Sequence, residues 1–332
     1  MERNAYFDNA RLLLIFLVVF GHMIQPFIDG SSGINTLYMW IYTFHMPAMI
    51  FLAGFFAKGS GNKAYIVKLA RKLLVPYLIF QLLYTVFYFF IGKDGWQTGV
   101  FHPHWSLWFL CSLFGWHLLL SLFKKAPALI SMSIAVFIGL IVGYFGEIGH
   151  TFSLSRTFVF FPFFLLGFWL TEKHVMWLKH KGMKIVSLVV LIAVGAAIYY
   201  APDFNSGWLL ASKSYGDLGM PAYGGIARLL VYVTAVLMGM SVLAWVPVRN
   251  SWMTHFGTRT LYVYLVHGFF IQLLRKADIL QVNGIFSLLG IALLSAVMVL
   301  VLSTKPVLGI WQPLIEGRAT IIKRAFKRVA ER

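Results

Sequence analysis

The feature that most constrains this chain is a succession of long apolar runs, separated by short stretches carrying Pro, Gly and clustered charge. A helix needs about 20 apolar residues, within a range of about 17–25, to cross a bilayer. Such runs fall near residues 12–28, 37–57, 73–92, 104–123 and 127–145, and again near 157–171, 184–200, 225–245, 258–274 and 284–303. The sixth is short and holds Pro162 and Gly167, which predicts a tilted or broken helix. Residues 201–223, with Pro202, Gly207, Trp208 and Pro221, read as a longer loop with an interfacial turn. The expected fold is an all-α polytopic bundle of about ten transmembrane helices.

Composition excludes the soluble alternative. Sixty per cent of the residues are apolar or aromatic and 12% are charged, about half of the roughly 25% usual in soluble domains. The net charge of +17 would suggest nucleic acid in a soluble protein. Here the basic residues lie between apolar spans, where topology and an anionic leaflet account for them, so no nucleic-acid partner is expected.

With the N-terminus inside, 22 of the 28 Lys and Arg fall on the inner side. These lie at Arg3 and Arg11, at 58–72, 124–125 and 173–184, at Arg249 and Arg259, and in a tail from Lys305 to Arg332. Lys93, Arg156, Lys213, Arg228, Arg275 and Lys276 are left outside. Adding or removing one span scrambles this separation, so the predicted topology is multi-pass in the cell membrane with both termini cytoplasmic. The chain reads as one unit, 1–332, with a bundle over about 1–304 and a basic cytoplasmic tail over 305–332. No internal repeat is evident, and the first apolar run reads as a retained helix. The single cysteine, Cys111, forms no internal disulfide.

Ionisable groups inside a span are costly, and each is a functional hypothesis by default. His22, His45, His117 and His267 lie within spans, and His104 lies at a helix edge. A lone histidine such as His117 is accounted for by a packing hydrogen bond to a neighbouring helix. The other three share a depth. His22 lies ~16 Å beyond Arg11 on an outward-running helix at ~1.5 Å per residue, roughly 9 Å from its outer end. His45 sits ~12 Å below the outer start of the second span, and His267 ~10 Å from the exit of the ninth. No carboxylate or cysteine shares this layer, so no metal site is expected. Arg11 and His22 also project from one face, because eleven steps of about 100° overshoot three turns by roughly 20°. Asp8, three residues before Arg11, is spaced to orient its guanidinium. Lys68, Arg71 and Lys72 cluster on the same side just before Pro76. They serve either as a topology signal or as part of a phosphate-binding mouth.

At these residues the sequence resembles the type-3 acyltransferase family of integral membrane enzymes, which modify glycans and other envelope molecules. The resemblance rests on Asp8 and Arg11-x10-His22, on Phe44-His45-Met46-Pro47 with Phe51 and Gly54-Phe55, and on Lys68-x-x-Arg71-Lys72 with Pro76-Tyr77. It continues through His104-Trp105-Ser106-Leu107-Trp108-Phe109-Leu110 and Tyr264-Leu265-Val266-His267. Lysine stands at 68 where the family has arginine, and extra residues separate His104 from Leu107-Trp108-Phe109. The match spans nearly the whole chain and is similar to the stand-alone branch that lacks an appended hydrolase-like domain.

The resemblance implies a cytoplasmic acyl-CoA donor, acetyl-CoA above all, and no tightly bound cofactor. Arg11, Lys68, Arg71 and Lys72 would hold the nucleotide end while the pantetheine arm reaches His22. His22 would act as general base, His45 would bond the developing oxyanion or the acceptor, and His267 or Tyr264 would position the acceptor. An acyl-histidine intermediate is the competing version. Trp105 and Trp108 are candidate substrate contacts. Trp96, Trp105 and Trp208 are either an aromatic belt or, as a group, a stacking platform for a sugar. The expected acceptor is an envelope glycan, exopolysaccharide or lipid-linked sugar. The rival class is a transporter or flippase for such a glycan, which would more often show paired halves with broken helices.

Overall fold

The computed structural model describes residues 4–59, 63–94, 96, 98–147, 151–200 and 204–315, and no strand occurs among them. Each of the ten apolar runs is helical. The helix that carries Arg11 and His22, α1 (Ala5–Ile24), is opened by Asn4, whose side chain accepts from the Tyr6 N–H at 2.9 Å. A cap, not the end of the charged stretch, sets its start. Asp8 and Arg11 therefore stand in its first turns rather than ahead of the span at 12–28. Pro26 then turns the chain into a 3-10 segment, Gln25–Gly30.

The remaining helices are α2 (Ser32–Phe55), α3 (Lys63–Phe90), α4 (Trp108–Phe123), α5 (Ala128–Ile141), α6 (Leu154–Trp169), α7 (Glu172–Trp177) and α8 (Lys181–Tyr200). They continue with α9 (Gly207–Leu210), α10 (Gly224–Trp245), α11 (Thr260–Lys276), α12 (Ile285–Leu302) and α13 (Lys305–Ile315). Among the described residues, six helices are long and apolar enough to cross a membrane: α1 with its 3-10 extension, α2, α3, α8, α10 and α12. Shorter apolar helices are α4, α5 with its following turn, and α6. The outer surfaces of α8 and α12 are apolar, with Ile185, Val189, Ile192, Phe286, Leu289 and Leu293 exposed. Water would not tolerate so continuous a surface, whereas lipid matches it.

Four further features differ from the sequence reading. α3 begins at Lys63, so Lys68, Arg71 and Lys72 form its opening turns instead of a loop. Lys and Arg are good helix formers, and charge marks an interface, not a helix end. α4 begins at Trp108 rather than 104. His104–Leu107 is a turn, fixed by the His104 N–H donating to Gln81 Oε1 at 2.9 Å and the Leu107 N–H donating to the His104 carbonyl at 2.8 Å. α6 runs unbroken through Pro162. The stretch from Lys305 is a helix, α13, whose Trp311 lies 5.5 Å from Phe80 and 6.2 Å from Phe269 between ring centroids. The rest of the expected basic tail, 316–332, and Arg3 lie outside the described residues.

The centre of the bundle is α2, which packs against α1, α6, α8 and α10. Its approach to α6 depends on two glycines that face one another. A Cβ on Gly54 would collide with the Phe164 carbonyl, and one on Gly167 with the Phe51 carbonyl. Small residues that let backbones meet are the usual means of close helix packing in lipid. The stretch 204–223 is a compact plug on the ends of α5, α6 and α10. The Tyr215 hydroxyl donates to the Leu140 carbonyl at 2.8 Å, Ser155 Oγ to Ala211 at 2.9 Å, and Arg228 to the Trp208 carbonyl at 2.5 Å. Leu209 and Leu210 of this plug line the space between α1, α2, α6 and α11.

Candidate active site

Three helices deliver their histidines to one place. The His22 and His267 rings lie nearly parallel, 5.6 Å apart with 15° between their planes. Trp105, from the turn before α4, lies 4.4 Å from His22 and 6.0 Å from His267. His45 joins through Tyr42, whose ring is 4.5 Å from it and whose hydroxyl is 3.0 Å from His22 Nδ1. The common depth calculated from helix rise therefore corresponds to a cluster, because α1, α2 and α11 turn those faces toward each other.

Helix geometry also sets the protonation of two of these rings. His45 Nδ1 is 2.9 Å from the Ile41 carbonyl, and His267 Nδ1 is 2.9 Å from the Val263 carbonyl, each one turn back. A carbonyl only accepts, so in both neutral rings Nδ1 carries the hydrogen and Nε2 keeps its lone pair. His267 Nε2 is buried and makes no hydrogen bond to the described residues. His22 differs, since a hydroxyl can donate or accept and the state of Tyr42 selects its tautomer. Arg275 braces this layer by donating to the His22 carbonyl at 2.6 Å and to Gln25 Oε1 at 3.1 Å. That carbonyl belongs to the last turn of α1, where acceptors lack helical partners and a cation is favourable.

Two cavities meet at this layer. One, of about 50 Å³, is lined by His22, Tyr42, His45, Ser106, Trp108 and Arg156, among others. The second, of about 390 Å³, starts at Arg11 and Lys72 and passes His117 and Phe109. Val18, Met46 and Tyr264 line both, so the two cavities adjoin between the basic mouth and the imidazoles. Asp8 accepts from Arg11 at 3.3 Å, and the guanidinium sits 4.3 Å over the Phe56 ring. Asp8 is buried and so aims Arg11 from behind.

The expected residues divide between these places. His22, His45, Trp108 and Tyr264 line the inner cavity, and His267 and Trp105 stand beside it. Tyr264 also donates to the Ser106 carbonyl, tying α11 to the turn that carries Trp105. Arg11 and Lys72 line the mouth, whereas Lys68 and Arg71 are exposed on α3 and line neither cavity. His117, accounted for by packing alone, lines the larger cavity 3.3 Å from the Tyr65 hydroxyl. His104 is held by Thr85 at 2.8 Å in the turn before α4; burial, with help from Lys93, pushes its pKa down to about 4.

A three-tryptophan platform does not form. Trp208 is buried against Tyr215 at 5.4 Å, and Trp96 packs on Phe89 at 5.0 Å. Sequence reasoning missed Tyr42, Arg156 and Ser106. Tyr42 was open to discovery, since it precedes His45 by three residues and so shares its helical face. Arg156 reads in sequence as an outer-side charge, and only its packing reveals where it points.

Comparison with known proteins identifies the family. The acyltransferase-3 family, described as an acyltransferase domain, matches residues 4–304. The nodulation protein NolL of Mesorhizobium japonicum is 24% identical over 321 residues, covering 86% of this chain and 81% of that protein. NolL of Sinorhizobium fredii is 24% identical over 305 residues, covering 84% and 80%. No solved structure matches. The chain belongs to the acyltransferase-3 family: it is a multi-pass membrane enzyme that transfers acyl groups other than aminoacyl groups.

Proposed function

We propose that this acyltransferase is an O-acetyltransferase that uses cytoplasmic acetyl-CoA. It esterifies a hydroxyl of an envelope glycan, an exopolysaccharide or a lipid-linked sugar. The observation that carries this reading is the path from the Arg11–Lys72 mouth, past Val18, Met46 and Tyr264, to the histidine cavity. A polyanionic nucleotide suits a rim of fixed cations, and a narrow, mostly apolar bore suits a pantetheine arm. Lys68 and Arg71, exposed on the same helix, extend the cationic rim toward the phosphates. Ten spans with both termini cytoplasmic put that rim where acetyl-CoA is found, and the distribution of Lys and Arg supports this orientation.

In the reaction, the acceptor hydroxyl oxygen attacks the thioester carbonyl carbon while His22 Nε2 takes the hydroxyl proton. The carbon–sulfur bond then breaks and the proton passes to the departing thiolate, leaving an ester and CoA. This requires Nδ1 of His22 to donate to the Tyr42 hydroxyl, which keeps the Nε2 lone pair available. His45 orients the acceptor with its bare Nε2, and His267 with Trp105 holds the His22 ring in place.

Two results are expected. Tyr42→Phe lowers kcat about five- to tenfold, the value of a hydrogen bond of about 1–1.5 kcal/mol, with KM for acetyl-CoA unchanged. A variant as fast as the wild type removes Tyr42 from the control of His22. Arg11→Ala and Lys72→Ala each raise KM for acetyl-CoA about tenfold, the worth of a charge-assisted contact of roughly 1.5 kcal/mol, more than they raise KM for the acceptor. Labelled acetyl-CoA supplied to membranes gives both constants, and the opposite split would move the donor away from this mouth.

A further inference from the structure

The histidine cavity contains a cation that this reaction scheme does not use. Arg156, near the start of α6, lines it alongside His22, His45 and Tyr264. Its Nε donates to the Leu210 carbonyl at 3.1 Å, and its guanidinium lies 5.0 Å over the Trp108 ring. Among the described residues no carboxylate pairs with it, and the buried carboxylate, Asp8, is engaged with Arg11. Two more arginines stand at this end of the bundle. Arg228 is buried beneath Trp208, and Arg275 holds the His22 carbonyl. Neither has a carboxylate partner among the described residues.

A guanidinium drawn out of water without a counter-charge costs several kcal/mol, and a single carbonyl offsets only part of that. Arg228 and Arg275 are engaged with backbone carbonyls that hold the plug and the end of α1. Arg156 differs in facing the space where the acceptor hydroxyl must lie. Its planar fork matches the paired oxygens of a carboxylate or phosphate, and the aromatic floor of Trp108 holds that plane in register.

Building on the acyl-transfer reading of this cavity, the geometry points to an acceptor that is anionic beside the acylated hydroxyl. Arg156 binds its carboxylate or phosphate. The cavity's size limits where that charge can sit. Arg156 lines the same cavity of about 50 Å³ as His22 and His45, so the anion belongs to the acylated residue itself or to its immediate linkage. A carboxylate identifies an acidic sugar, whereas a phosphate identifies a sugar phosphate of the kind carried on a lipid.

The test is a tryptophan-fluorescence titration of the purified full chain, since Trp108 lies under the proposed anion site. Methyl β-D-glucuronoside and glucose 1-phosphate are compared with neutral methyl β-D-glucoside. The wild type is expected to bind one of the two anions about tenfold or more tightly than the glucoside, as a charge-assisted pair provides. The preferred anion distinguishes carboxylate from phosphate. Arg156→Gln removes the margin, while Arg156→Lys, which keeps the charge but not the fork, retains part of it. The absence of any margin in the wild type, or its survival in Arg156→Gln, overturns the proposal. If Arg156→Gln does not fold, the wild-type margin and its reduction in Arg156→Lys decide the question. The titration uses no acyl donor, so a failure of acetyl transfer in membranes would sink the proposed reaction separately.

Discussion

Replacing His22 with alanine is expected to lower acetyl transfer by about 10²- to 10⁴-fold, the contribution of a positioned general base, with little change in KM for acetyl-CoA. The ring lines the inner cavity, within 3.0 Å of the Tyr42 hydroxyl and 5.6 Å of the His267 ring. The proposed donor contacts lie elsewhere, at Arg11 and Lys72, which line the larger cavity. Removing the imidazole therefore takes away an interaction made as the hydroxyl is deprotonated, and leaves donor binding in place. Initial rates in membranes normalised for protein content measure this. A rate within a few-fold of the wild type would show that the proton goes to another group.

The largest structural effect is expected at Gly54. A β-branched side chain there would drive into the Phe164 carbonyl, and backbone cannot swing aside as a side-chain tip can. Overpacking costs typically about 1–3 kcal/mol and occasionally more. Because α2 and α6 press together through both Gly54 and Gly167, Gly54→Val is expected at or above the top of that range. The protein would fail to accumulate or would melt far below the wild type. Gly239→Ala is the contrasting substitution, since its nearest neighbour is the Ala48 Cβ at 3.7 Å, an ordinary contact. Thermal melts of the purified proteins in detergent separate the two. Equal stability of Gly54→Val and Gly239→Ala would mean that α2 and α6 do not pack as closely as described.

Much of this architecture was legible because lipid imposes a strong pattern on sequence. The apolar runs are helical, six of the helices being long and apolar enough to cross a membrane, and helix rise alone brings His22, His45 and His267 to one level. What pattern could not supply was the direction each side chain faces. Arg156 and Arg275 counted equally as outer-side charges, yet one lines the cavity and the other braces α1. Trp105 and Trp208 look alike as interfacial aromatics, but the turn at His104–Leu107 brings the first to His22, while Arg228 and Tyr215 bury the second. Charge is a poor guide to where a helix starts in this chain. At Asn4 a capping hydrogen bond sets the limit, and at Lys63 to Lys72 helix-forming basic residues continue the helix past the interface.

The central claim is that a cytoplasmic thioester reaches the histidines through the Arg11–Lys72 mouth. Sealed membrane vesicles of known sidedness test it most directly, with labelled acetyl-CoA supplied to one face at a time and label measured as glycan ester. Vesicles with the cytoplasmic face outward should incorporate label, and those with the opposite orientation should do so only after permeabilisation. Equal incorporation from either face, or none from the cytoplasmic face with the wild-type protein, would contradict the account.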